Sequence, residues 1–205
     1  MSAASSASAG SLAARIAGLQ PKARRLLVAI AGPPASGKST LAEELVDHLG
    51  SQAALVPMDG FHMDNAVLKA RGLLPWKGAP ETFDATGFVH SIRRLAVEEE
   101  VVIPVFDRTR DISLAGAAVV SAHTQIAVVE GNYLLLDAPV WRYLHDIWDF
   151  TVFLDVPEAI LKERLIQRWL DHGHTATDAE ARAQANDLPN AQAVLRMSIG
   201  ADVTL

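Results

Sequence analysis

The chain has 205 residues, half of them apolar, which supplies one sizeable core and argues against a second full domain. Its 24 acids against 18 bases give a formal charge of -6, the wrong sign for a protein that coats DNA or RNA, so nucleic acid is not expected as a partner. There is no cysteine, which removes disulfide frameworks, thiolate zinc sites and cysteine nucleophiles and fits a reducing cytoplasm.

Small and polar residues, MSAASSASAGS, open the chain without a basic leader. They read as a partly disordered tail over 1–20, ahead of a single domain over 21–205. No apolar run approaches the roughly 20 residues of a membrane helix, so no membrane insertion is expected. Residues 25–32, RLLVAIAG, form a short apolar run ending in glycine, the pattern of a strand buried on both faces.

GPPASGKST follows directly and satisfies G-x-x-x-x-G-K-[ST], then gives way to helical periodicity over 39–49. Strand, loop and helix stand in the order a phosphate-binding loop needs. Gly32 and Gly37 allow the tight turn, and the N–H groups of Ala35, Ser36, Gly37, Lys38, Ser39 and Thr40 are the available donors, because Pro33 and Pro34 have none. Lys38 supplies a positive charge for the β- and γ-phosphates of ATP, and the Ser39 hydroxyl a ligand for Mg²⁺.

A second apolar run, residues 53–58, ends at Asp59. Phosphoryl transfer mainly requires an aligned acceptor hydroxyl whose proton leaves late, and Asp59 is the candidate base. An Asp-Gly turn with a locally bonded carboxylate is the competing reading. His62 reads equally as a loop histidine or as a substrate ligand. The loop 71–84, RGLLPWKGAPETFD, contributes Lys77 toward an acceptor, whereas Asp84 reads as the N-cap of a helix over 85–99. After the next strand, 101–106, the polar stretch places Asp107, Arg108 and Arg110 at the same candidate acceptor site.

Glu130 closes the run 125–130 and is placed to hold Mg²⁺, directly or through water. A helix is expected over 138–148, a strand over 150–156, and a helix over 158–171 entered by Pro157. On that last helix Arg164 and Arg168 share one face, suited either to charge on the transferring phosphoryl group or to a solvated surface paired with Glu163. The polar stretch 171–178 suits a mobile lid, and His172 and His174 read as solvated. The alternation implies an α/β, three-layer fold with a mostly parallel sheet, whose ligands bind beyond the carboxyl ends of the strands.

In this order the motifs resemble those of the uridine kinase, phosphoribulokinase and bacterial pantothenate kinase superfamily. GPPASGKST is similar to its Walker A loop, VPMDGFHMDN to its second-strand acid segment, KGAPETFD to its acceptor loop, VVEGNYLLLD to its second acid strand and LKERLIQRWLDHG to its arginine-bearing lid helix. ADVTL at 201–205 resembles a final strand near an adenine pocket. MDGFHMDN, GLLPWKGAPETFD, PVFDRTRD and EGNYLLLD together look most like the fructose transport system kinases. The resemblance implies ATP and Mg²⁺ as cofactors, a small-molecule substrate, a sugar favoured over pantothenate or a nucleoside, and it allows a homodimer. PVFDRTR stands where uridine kinases place a tyrosine and histidine. A regulatory NTPase without a small acceptor is the reading from another class, though no Asn-Lys-x-Asp base-reading segment is found.

Overall fold

The computed structural model describes residues 3–205, with side chains from residue 9 onward. Strands β1 (Leu26–Ala31), β2 (Ala53–Pro57), β5 (Ile126–Gly131), β6 (Phe150–Phe153) and β7 (Val203–Thr204) form one parallel sheet in the order β2-β5-β1-β6-β7. Helices cover both of its faces. In β1, Leu27, Ala29 and Ala31 pack with Phe88, Ile92 and Leu95 of α4 (Ala85–Val97), while Leu26, Val28 and Ile30 pack with Leu41 and Leu45 of α2 (Lys38–Leu49). The two-residue alternation of the pleat thus turns one continuous apolar run into contacts for two cores. Expectation and structure agree on the three-layer α/β class.

Register decides where the ends of the strands meet. Glu130 lies opposite Ile30 on one side and Pro57 on the other. The loop after β1, the turn after β2 and the last residues of β5 therefore leave the sheet at one edge.

Four stretches depart from the sequence reading. Where a tail is expected over 1–20, helix α1 spans Ala3–Ala17 and buries Ala9, Leu12, Ala13 and Ile16 against α2 and the sheet. Their spacing is the helical i, i+3, i+4, i+7 stripe, inconspicuous because two of the four are alanines. The run at 101–106 becomes β3 (Val101–Asp107), but it does not join the parallel sheet. It pairs antiparallel with β4 (Ile112–Val120) as a separate two-stranded sheet, with a register shift between Ile103 and Val105, around Pro104, which has no N–H to give the ladder. Over 138–148 only a 3₁₀ turn forms, Trp141–Leu144, preceded by Val140 at φ 71° and ψ -53°, a conformation no α-helix can pass through. Finally, the chain beyond α5 (Glu158–Asp171) is helical: α6 (Ala176–Arg182) is capped by the Thr175 hydroxyl, a π-helical turn occupies Ala183–Asp187, and α7 (Leu188–Met197) completes it. Helix α3 (Asn65–Ala70) lies within the loop region after β2.

One buried cation ties the small sheet to the large one. Arg25, fully buried, donates to the carbonyls of Leu95, Glu98 and Glu99 at the C-terminal end of α4, and to that of Ser121 just past β4. A guanidinium at a helix C-terminus satisfies carbonyls left without intrahelical partners. Among the described residues no helix is long and apolar enough to cross a membrane.

Candidate active site

Residues 32–40 turn tightly between β1 and α2. Ser36 N–H donates to the Pro33 carbonyl at 3.2 Å, and Gly37, at φ 96°, enters α2 in the left-handed region with no side-chain cap. Ala35 also sits left-handed, at φ 64°, which costs a non-glycine residue roughly 1–2 kcal/mol. Strain of this kind concentrates where backbone is held for a ligand. A Cβ on Gly32 would lie 2.9 Å from Ser36 Oγ and 3.1 Å from Leu154, so the turn closes only with glycine there. Ser36 Oγ is buried and has no hydrogen-bond partner, and the first N–H groups of α2 have no carbonyl to bond within the helix. Donors without acceptors at a positive helix end fit an anionic polyphosphate.

The charged groups around this turn come from three strand ends. Ser39 Oγ donates to Glu130 Oε2 at 3.2 Å, and the buried carboxylate is pushed up from its ordinary range by desolvation, with Lys38 opposing. Burial pulls the Lys38 ammonium down, while Glu130 and Asp59 act to keep it charged. A hydroxyl beside a buried carboxylate, both oxygen donors, matches what a small hard cation such as Mg²⁺ requires.

Asp59 sits on the 3₁₀ turn Met58–Phe61 after β2. Its carboxylate makes no local backbone bond among the described residues; instead it accepts from Arg108 Nη2 at 2.7 Å, 49 residues away. The carboxylate is thus held by a residue remote in sequence and not by the turn it sits on. Gly60 allows the approach, since a Cβ there would lie 2.4 Å from the Pro104 carbonyl of β3. His62 donates from Nδ1 to the Asp59 carbonyl in the tautomer that bond requires, at 2.8 Å, and its ring lies between Phe83 and Phe106, at 4.0 and 4.7 Å between centroids. Burial lowers its pKa and favours the neutral ring.

The structure brings the other predicted residues together less uniformly. Lys77 Nζ is held by Asn65 Oδ1 at 2.8 Å, the Asp111 carbonyl at 2.9 Å and Asp111 Oδ1 at 2.9 Å, which accounts for its three donors. Arg110 bonds Asp107 of its own turn at 2.8 Å. Arg108 extends from the hairpin with its side chain 71% exposed and its guanidinium bonded to Asp59. Arg164 Nη1 donates to the carbonyls of Ala35 and Ser36 in the 32–40 turn at 3.2 and 3.4 Å. Arg168, one turn further, goes to Asp187 at 3.1 Å. His172 and His174 flank Trp169, and no cluster of metal-binding side chains exists among the described residues. Asp84 caps α4 through the Gly87 N–H at 2.9 Å, as its position suggests. A groove of about 490 Å³ is lined by Met63, Glu81, Phe83, Asp84, Val140 and Trp141, among others, and by none of Lys38, Asp59, Arg108 and Glu130.

Asn65, Asp111, Tyr133, Asn186 and Asp187 complete the surroundings and are not among the residues singled out by sequence. Tyr133 had a signal in its place three residues after Glu130. Asn186 and Asp187 had none, because a π-helical turn has no sequence period that marks it.

A family profile described as an AAA domain matches residues 28–183, the span from β1 into the π-helical turn. The crystal structure of a protein from Silicibacter sp. TM1040, provisionally described as a fructose transport system kinase, is 51% identical, covers 96% of this chain and 98% of its own, and superposes with a TM-score of 0.92. The chain belongs to the P-loop kinases. Among relatives of this kinase, the uncharacterised protein YggC of Escherichia coli (strain K12) is 41% identical over 85% of the chain and 75% of its own length. A provisionally named uridine kinase of Schizosaccharomyces pombe is 33% identical over 89% of the chain and 83% of its own length. The kinase is accordingly a nucleotide-using phosphotransferase.

Proposed function

We propose that this kinase transfers the γ-phosphoryl group of ATP to a hydroxyl of a small metabolite, a sugar such as fructose, in the cytoplasm. The observation that carries the proposal is the convergence of Lys38, Ser39–Glu130 and Asp59–Arg108 at one sheet edge, from three strands in register. Residues 35–40 and Gly32 would hold the triphosphate, with Lys38 against its outer phosphates. Ser39 and Glu130 would hold Mg²⁺, which when bound neutralises phosphate charge. Asp59 would receive the acceptor's proton, with Arg108 holding its carboxylate in place. Arg164 and Arg168 would stabilise the charge that builds on the transferring group.

A sugar is favoured over a nucleoside by the aromatics. Of Phe61, Trp76 and Phe83, the rings that could make a stacking platform for a base, only Trp76 is exposed, at 46%; Phe61 and Phe83 are buried in the core at 8% and 2%, and His62 already fills the space between Phe83 and Phe106. Polar reach toward a polyol comes from His62, Arg108 and the hairpin carboxylate Asp107, with Lys77 and Arg110 fixing the frame. The test is a panel of ketohexoses, uridine, cytidine and pantothenate, each incubated with ATP and Mg²⁺ and analysed by mass spectrometry. A sugar phosphate is expected. A phosphorylated nucleoside or phosphopantothenate with no sugar phosphate overturns the acceptor; ATP hydrolysis that no panel member stimulates favours a regulatory NTPase.

A further inference from the structure

The loop that carries Lys77 is gripped on two consecutive carbonyls by two different elements. Gly78 O accepts the Tyr133 phenol at 2.5 Å, and burial raises the Tyr133 pKa, so the group stays a donor. Lys77 O accepts from Asn186 Nδ2 at 2.8 Å. The first grip belongs to the sheet, three residues after Glu130. The second belongs to the π-helical turn beyond α6.

That same turn reaches in the other direction through its next residue. Buried Asp187 accepts from Arg168 Nη2 at 3.1 Å and from Trp169 Nε1 at 2.6 Å, both on α5. Asn190 Nδ2 in turn donates to Asn186 Oδ1 at 3.1 Å, which fixes the Asn186 amide with its NH₂ toward Lys77. At the start of the turn, Ala183 packs in a small core with Leu165 and Leu188, against which Ala35 of the phosphate turn also packs. π-Helical turns are rare and recur at functional sites. Here two adjacent side chains of one rigid turn hold, respectively, the acceptor loop and the lid arginine.

We infer that the Asn186–Asp187 pair is a positioning device that couples occupancy of the phosphate cradle to the placement of the acceptor loop. This rests on the reading of residues 32–40 as the nucleotide site. A nucleotide that draws Arg168 inward moves Asp187, and one peptide unit away Asn186 must follow and carry the Lys77 carbonyl with it. Since Lys77 is bonded to Asp111 and Asn65, the displacement reaches the hairpin that presents Arg108 to Asp59. Neither Asn186 nor Asp187 needs to touch a substrate.

Hydrogen exchange followed by mass spectrometry on the full chain tests this, with ADP and Mg²⁺ as the probe. In the wild type, the nucleotide is expected to slow exchange across residues 71–84 by about fivefold or more. In Asn186→Asp, which keeps the shape but loses the donor, the slowing should fall below about twofold while the ADP dissociation constant stays within about twofold of wild type. Asn190→Ala, which frees the Asn186 amide to turn, is expected to lose part of the effect and carries the test should Asn186→Asp fail to fold. Undiminished protection at 71–84 in these variants overturns the coupling, as does a wild type that binds ADP with no change at 71–84. A wild type that does not bind ADP at all overturns the nucleotide-site reading, and the coupling with it.

Discussion

Nine consecutive residues, 32–40, make the proposed phosphate cradle, whereas the proposed acceptor wall takes Asp59, Asn65, Lys77, Arg108 and Asp111 from separate segments spread across residues 59–111. The cradle is local: a buried strand, two glycines and a helix N-terminus produce its donors whatever the rest of the chain does. The wall is a product of packing, in which each charged group takes its direction from a partner far away in sequence. Damage to the cradle should therefore act through the nucleotide. Damage to the wall should act through the acceptor and leave nucleotide affinity near normal.

The largest effect is expected at the base. Asp59→Asn preserves shape and Arg108 contact but cannot take a proton, so turnover should fall by about 10²–10⁴-fold with the ATP dissociation constant little changed. Wild-type turnover with normal MgATP binding would return Asp59 to the status of a turn residue. Next comes the cradle: Lys38→Ala should fold normally and lose at least ~10²-fold in turnover, with nucleotide affinity reduced as well. If a folded Lys38→Ala enzyme kept both, the comparison between cradle and wall would break at its firmest point.

Smaller effects sharpen the dependence of the wall on remote contacts. Gly60→Ala places a Cβ on the Pro104 carbonyl, and forcing β3 away should cost about 1–3 kcal/mol of stability by denaturant titration. It should also weaken acceptor stimulation more than ATP binding; unchanged stability would mean that hairpin and acid turn are not held together as described. The least effect concerns His62, which faces Asp59, Lys77 and Asp111. Because burial lowers its pKa from the ordinary value, the unfolded chain binds a proton that the folded one refuses, and stability contributed by the neutral ring falls as pH drops below about 6.5. His62→Gln should flatten this part of the profile between about pH 7.5 and 5.5 in chemical denaturation. An identical slope in both proteins would show that His62 titrates alike folded and unfolded.

Legibility in the sequence followed the same division. The motif at 32–40, the strands at 25–32, 53–58 and 125–130, and the positions of Asp59 just past the second and Glu130 at the end of the third were all readable, because a buried parallel strand is a continuous apolar run and its ligand edge is its carboxyl end. Arg164 and Arg168 were readable as sharing a helix face. That one would reach the Ala35 and Ser36 carbonyls and the other Asp187 was not, since a helix period says nothing about what faces it. Lys77 was visible as a cation in the right loop, yet its three donors go to Asn65 and Asp111, a pairing that depends on how the hairpin folds over α3. Alanine-rich α1 passed for a tail because its buried stripe has little apolar volume to announce it.

Local chemistry, then, was settled by residue order alone: glycine where the backbone must turn, lysine and serine where phosphate and metal would lie, and apolar runs long enough for strands. Tertiary structure decided the rest. β3 pairs with β4 outside the parallel sheet, Arg108 comes to Asp59, and a π-helical turn sets Asn186 on the Lys77 loop and Asp187 on α5. The physical reason is one of range. Backbone conformation and hydrophobic period are properties of neighbouring residues, whereas the direction of a charged side chain is set by whichever opposite group the packed core brings within about 3 Å of it.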